Sequence, residues 1–146
     1  MFTGIVTDVG TVRAVRETNR DLRFEVETRF DLSTVDIGAS ISHAGCCLTV
    51  VEYDATRVSF DVLEETRRLT NFSALAPGAL VNLERSLRFD GKVGGHFVTG
   101  HIDGLGIVEI DAHQLGDREI ALTILGGTDF AFDRVAGAQA DRKSVV

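Results

Sequence analysis

Short segments of alternating apolar and polar residues follow one another along this chain, and few folds can accommodate them. In Arg57-Val58-Ser59-Phe60-Asp61-Val62 every second residue is apolar. Successive side chains of a strand point to opposite faces, so Val58, Phe60 and Val62 share an inward face. Arg23-Phe24-Glu25-Val26-Glu27 alternates in the same way, and Leu80-Val81-Asn82-Leu83-Glu84-Arg85 gives another strand. Residues 5–12 mix glycine with β-branched residues and read as a first strand, with close backbone approach at Gly4 and Gly10. Asp36-Ile37-Gly38-Ala39-Ser40 leads into a strand that contains both cysteines and runs to about Tyr53. Thr18-Asn19-Arg20-Asp21 and Asp54-Ala55-Thr56 are polar turns, and Pro77-Gly78 breaks the chain. Residues 64–71 are the best helical candidate, a short one. Six short strands with so little helix predict an all-β fold, a closed antiparallel barrel, because closure removes exposed strand edges.

The 146 residues suit one ordinary domain, or one small domain with a partial second. Hydrophobic residues at 44% are enough for a core, and a net charge of −7 argues against a nucleic-acid partner. No apolar run reaches the ~18 residues that a membrane span needs. Met1-Phe2-Thr3-Gly4-Ile5 lacks the charged and then apolar stretch of a secretory signal. Cys46 and Cys47 are the only cysteines, and as neighbours they are poorly placed to bridge anything distant. A reduced, cytoplasmic setting fits that usage best.

Chemistry concentrates in two stretches. In Gly45-Cys46-Cys47-Leu48-Thr49-Val50-Val51 the glycine permits a tight turn, and Cys47 and Thr49, two apart on a strand, project from one face. That pair can hold or attack a flat polar molecule. Buried core cysteines are the plainer reading, and on the heptapeptide alone the preferred one. The second stretch, residues 94–106, is glycine-rich and contains His96 and His101. It leads into the strand-like Ile107-Val108-Glu109-Ile110, whereas phosphate-cradling loops open a helix. A metal pair at His96 and His101 is set aside, because their odd spacing on a strand sends the two imidazoles to opposite faces. The chain also repeats itself: Thr3-Gly4-Ile5-Val6-Thr7-Asp8-Val9-Gly10-Thr11-Val12 lines up with Thr99-Gly100-His101-Ile102-Asp103-Gly104-Leu105-Gly106-Ile107-Val108. At the same offset Asp21 falls on Asp117. Residues 1–94 therefore form one barrel, and residues 95–146 begin a second of which only about half fits.

Taken together, Met1-Phe2-Thr3-Gly4-Ile5-Val6, Gly45-Cys46-Cys47-Leu48-Thr49-Val50, Glu65-Thr66-Arg67 with Thr70-Asn71, Val81-Asn82-Leu83-Glu84-Arg85 and Gly94-Gly95-His96 through Gly100-His101 resemble the signature segments of riboflavin synthase. The likeness is strong over roughly residues 1–110. It implies a six-stranded antiparallel Greek-key barrel with an incomplete second copy. It also implies a reaction without cofactor or metal. Two molecules of 6,7-dimethyl-8-ribityllumazine exchange a four-carbon unit, giving riboflavin and 5-amino-6-ribitylaminouracil. The acidic C7 methyl of the lumazine supplies much of the reactivity. The protein then has to hold two rings face to face and stabilise developing charge.

The resemblance implies a pocket lined by Gly4, Ile5, Val6, Cys47, Leu48, Thr49, Asp61, Val62, Leu63, Glu64, Glu65, Thr66, Gly100, His101 and Ile102. Backbone groups of Gly4, Ile5, Val6 and Val62 would meet the pyrimidine-like edge, and Thr49, Glu65 and Thr66 the ribityl hydroxyls or ring atoms. Ser40, Cys47 and His101 match catalytic positions. Cys47 would add to the ring or shape its surroundings, Ser40 would bond the anion, and His101 would move a proton, as a histidine can near neutral pH. Ser40 fits a plain strand-start hydroxyl about as well. Family members are trimers, and here the missing C-terminal helix favours a dimer. Association with lumazine synthase is a further implied partnership. The competing expectation is a non-catalytic lumazine or flavin binder, like the fluorescent antenna proteins built on the same barrel.

Overall fold

The computed structural model describes residues 1–104 and two further three-residue strands, Gly106–Val108 and Lys143–Val145. Six strands build the barrel: β1 (Asp8–Thr18), β2 (Asp21–Glu27), β3 (Ser40–His43), β4 (Cys46–Tyr53), β5 (Arg57–Val62) and β6 (Leu80–Arg85). They close in the order β1-β2-β5-β4-β3-β6 with every neighbouring pair antiparallel, which is a Greek-key path. The short strands β7 (Gly106–Val108) and β8 (Lys143–Val145) pair with each other. The expected second copy over residues 95–146 lies mostly outside the described residues. Among the described residues no helix is long and apolar enough to cross a membrane.

The alternation read from the sequence is the alternation of burial. On β2 Leu22, Phe24 and Val26 are buried between half-exposed neighbours, and on β5 Val58, Phe60 and Val62 are buried with them. Phe24 and Phe60 stack with ring centres 5.6 Å apart, and Phe72 meets both edge-on at 5.5 and 6.2 Å. Gly10 points into this interior, where a Cβ would stand 2.6 Å from Val26 Cγ1 and 2.7 Å from Leu83 Cδ1. Only hydrogen fits there, as the close approach expected at Gly10 requires.

The first strand differs from its expected place. It runs over Asp8–Thr18 rather than residues 5–12, and the residues before it form a strap outside the barrel. Gly4, at φ 79°, turns the chain, and a carboxylate from β6 takes the strap's amides. The lead-in to the cysteine strand also resolves into a hairpin. Ala44 and Gly45 both have positive φ, 50° and 87°, as a two-residue turn between twisted strands demands. The helix α1 (Glu64–Leu69) stops short of residue 71, because Thr70 is extended and its hydroxyl donates to the Thr66 carbonyl.

Candidate ligand-binding site

The pairing of β4 with β5 ends at Val50 and Phe60, so the first half of β4 lies beyond it. Val50 donates its N–H to Ala39 on the β3 side, so by alternation the Cys47 N–H points away from β3. It is taken by Gly100 O at 2.8 Å. The segment that carries Gly100 is held in turn by the strap: Phe2 and Val98 exchange N–H···O bonds of 2.7 and 3.0 Å, and His96 N–H donates to Thr3 O at 2.9 Å. Phe2 is buried to 1% exposure beneath these contacts. Gly100 sits at φ 78° against Cys47 and Phe2, where a Cβ would be 2.8 Å from Cys47 Cβ and 3.1 Å from Phe2 Cε2.

Between this segment, the start of β4 and the inner side of α1 lies a cavity of about 200 Å³. Its lining is Cys46, Cys47, Glu65, Thr66, Leu69, Thr70, Gly100, His101 and Ile102. Cys46 and Cys47 part company here. Cys46 faces the core, and burial, followed by the neighbouring Cys47, pushes its thiol up to about 12, so it stays protonated and unreactive. Cys47 stands on the outer face, half-buried at the cavity. Glu65 forms a two-point ion pair with Arg68 (2.6 and 3.1 Å), which holds its carboxyl below the usual range. The apolar Leu69 and Ile102 beside Thr66, a thiol and an imidazole suit an amphiphilic ring-plus-polyol ligand. Ordinary small-molecule pockets hold roughly 300–1,000 Å³, so a volume of about 200 Å³ has room for only part of such a ligand.

The cavity gathers Cys47, Glu65, Thr66, Gly100, His101 and Ile102 of the expected site. Ser40 and Thr49 share its outer face but stand two pairs further along the β3–β4 ladder: Ser40 opposes Thr49, Ile41 opposes Leu48, and Ser42 opposes Cys47. The side chains of Leu48 and Val62 are buried in the core and leave only backbone to a ligand. Asp61 is committed to Arg23 by two bonds of 2.7 and 2.8 Å, which keep its carboxyl low. Leu63 and Glu64 line a neighbouring open cleft with Arg20, Asp21 and Arg68. Gly4, Ile5 and Val6 are exposed on the strap, and a Cβ on Gly94 or Gly95 would touch Ile5.

Three residues escaped the sequence reading. Asp21 caps α1 from the first hairpin, accepting from Glu64 N at 3.2 Å, and so fixes one wall of the cavity. Glu84 is buried and accepts from Thr3 N, Thr3 Oγ1 and Gly4 N. His43 is sealed inside the barrel. The outward position of Glu84 on an alternating strand is the one signal the sequence offers, and an outward charge on a strand is ordinarily a surface residue.

A closed Greek-key barrel with a cavity on its outer face, walled on one side by the segment that carries Gly100, is the architecture these residues define. Residues 3–86 match the family described as the lumazine binding domain, and the chain belongs to that family. The riboflavin synthase of Brucella abortus (strain 2308) is 43% identical over 109 residues, covering 71% of this chain and 54% of that protein. That of Escherichia coli (strain K12) is 42% identical over 104 residues, covering 70% and 48%. The chain thus spans about half the length of these relatives. Among solved structures, LumP complexed with 6,7-dimethyl-8-(1'-D-ribityl) lumazine is 31% identical with a TM-score of 0.64, covering 76% of this chain and 64% of that one. LumP complexed with riboflavin gives 31% and 0.65, covering 76% and 62%.

Proposed function

We propose that this chain acts as a riboflavin synthase, a transferase that dismutates two 6,7-dimethyl-8-ribityllumazine molecules to riboflavin and 5-amino-6-ribitylaminouracil. The observation that carries the reading is the joining of Cys47 and His101 in one outward-facing cavity of a lumazine-binding barrel. One ring lies along Cys47, Ile102 and the β4 backbone, with its ribityl chain toward Thr66 and Glu65. Its outer face remains free for a second ring. His101 moves the C7-methyl proton, Cys47 adds to the ring or shapes its surroundings, and Ser40 bonds the developing anion from further along the ladder. Gly4, Ile5 and Val6 on the strap, together with the Val62 backbone, flank the bound ring.

The second reactant needs a second pocket, so the working unit is a homo-oligomer in which two barrels face each other. The exposed Ile5, Val6 and Phe97 beside the strap are apolar surface that such a partner would cover. Two free cysteines suit a cytoplasmic setting, where lumazine synthase is a natural associate. A second reading, binding without turnover, is supported by the likeness to LumP.

Purified lumazine is incubated with the chain, riboflavin absorbance is followed, and both ligands are titrated by fluorescence. Riboflavin formation supports the enzyme. Saturable binding without product supports the binder. No saturation at millimolar ligand removes both.

A further inference from the structure

We propose that Glu84 is a positioning residue for this site, setting where the His101 segment stands without itself lining the cavity. The proposal rests on the functional reading above only for what the cavity binds. Glu84 lies on β6, 8% exposed, and its carboxylate collects bonds from Thr3 N at 2.6 Å, Thr3 Oγ1 at 2.7 Å and Gly4 N at 3.0 Å. No cation pairs with it among the described residues, so N–H and O–H dipoles alone meet its charge. Bonds to an ionised acceptor are about twice as strong as neutral ones, and a buried carboxylate cannot release them to water without loss.

The strap held in this way is the inner layer of a relay. Thr3 O receives His96 N–H, Phe2 pairs with Val98, and Gly100 O receives the Cys47 N–H. Only Gly100, His101 and Ile102, at the far end, reach the cavity. Every link is a backbone bond from a strap whose main side-chain anchor is Glu84, with three bonds against the single one from Thr7 Oγ1 to Leu83 O at 3.4 Å, and with Leu87 N–H to Met1 O and Thr7 N–H to Leu83 O as its backbone ties to the β6 end of the barrel. Removing the carboxylate frees the strap first, then residues 96–100, and with them the wall of the cavity. The barrel core, on the other face of β6, is left in place.

The test compares Glu84→Ala, Glu84→Gln and the core truncation Val26→Ala with the wild-type chain. It measures amide hydrogen exchange by residue, riboflavin affinity by fluorescence quenching, and melting temperature. Glu84→Ala should speed exchange at Cys47 and Val98 by roughly tenfold to a hundredfold and weaken riboflavin by a similar factor, while β2 amides stay protected. Glu84→Gln, which keeps one acceptor oxygen and the side-chain volume, should recover part of both. Val26→Ala should lower the melting temperature without singling out those amides. Unchanged exchange at Cys47 and Val98 in Glu84→Ala, or a rise shared equally by β2, overturns the proposal. A wild-type chain that ignores riboflavin defeats the functional reading, and the exchange data still decide the role of Glu84.

Discussion

His43 makes the barrel acid-labile in a way that can be calculated. The ring has no exposed surface, lies 4.0 Å from the Phe60 ring centre, and has Nδ1 3.1 Å from Ile41 O. Nδ1 therefore carries the proton and donates it to that carbonyl, while Nε2 has no partner. A second proton would create an unpaired cation among phenylalanines. Burial lowers the pKa from 6.5 to about 3, opposed only in part by the bond to Ile41. Between those values the unfolded chain holds a proton at this histidine and the folded chain does not. Stability is thus fully present above pH 6.5 and falls as the pH drops toward 3. Each pH unit in that window costs about 1.4 kcal/mol, so pH 5 costs about 2 kcal/mol from this one ring. Domains of this kind are stable by roughly 5–15 kcal/mol, so the loss is measurable. Asp8 and Asp54, both held at about 2, begin to cost stability only nearer the ordinary aspartate value of 3.8, below the window used here. The assay is urea unfolding at pH 7 and pH 5 for the wild type and His43→Leu. The variant changes the baseline but removes the titration, so the gap between the two proteins should shift by about 2 kcal/mol with pH. A gap that stays constant from pH 7 to pH 5 would refute the buried, neutral assignment.

Three other outcomes are expected. Gly100→Ala places a Cβ against Cys47 in a left-handed backbone that costs an L-residue about 1–2 kcal/mol, so riboflavin affinity should fall roughly tenfold in a fluorescence titration while the melting temperature barely moves. Gly10→Ala forces Val26 and Leu83 aside and should lower stability by about 1–3 kcal/mol, read from the urea midpoint. Cys47→Ser keeps the shape without the sulfur, so riboflavin formation should slow while riboflavin affinity stays roughly intact; an unchanged rate would remove Cys47 from the chemistry.

What the sequence showed and what it hid divide by the range of the interactions involved. The inward set on β5 was legible because strand periodicity is local, and the shared face of Cys47 and Thr49 follows from the same rule. Residues 5–7 have strand-like neighbours, but the chain before them is tied down by Glu84, 81 positions away from Thr3, and no local pattern carries that information. His43 sits in Ser-Ile-Ser-His-Ala and looks polar; its burial depends on Phe60, which comes from a strand that does not pair with its own. Part of the cavity was legible only through whole motifs: Glu65-Thr66 and Gly100-His101 are far apart in sequence, and the open edge of β4 brings them together. The repeat assigns residues 99–102 to a second copy, and in the fold residues 100–102 pack against the first barrel as a wall of its cavity.

That last arrangement limits how such a gene can be cut and rejoined. The family match ends at residue 86, but the docked segment that closes the cavity arrives after it, at Gly100. A crossover placed at the end of the barrel would pass on the floor of the site and leave its wall behind. Recombination that preserves the cavity has to carry the two together, so the heritable unit extends past the compact body that a strand count would mark out.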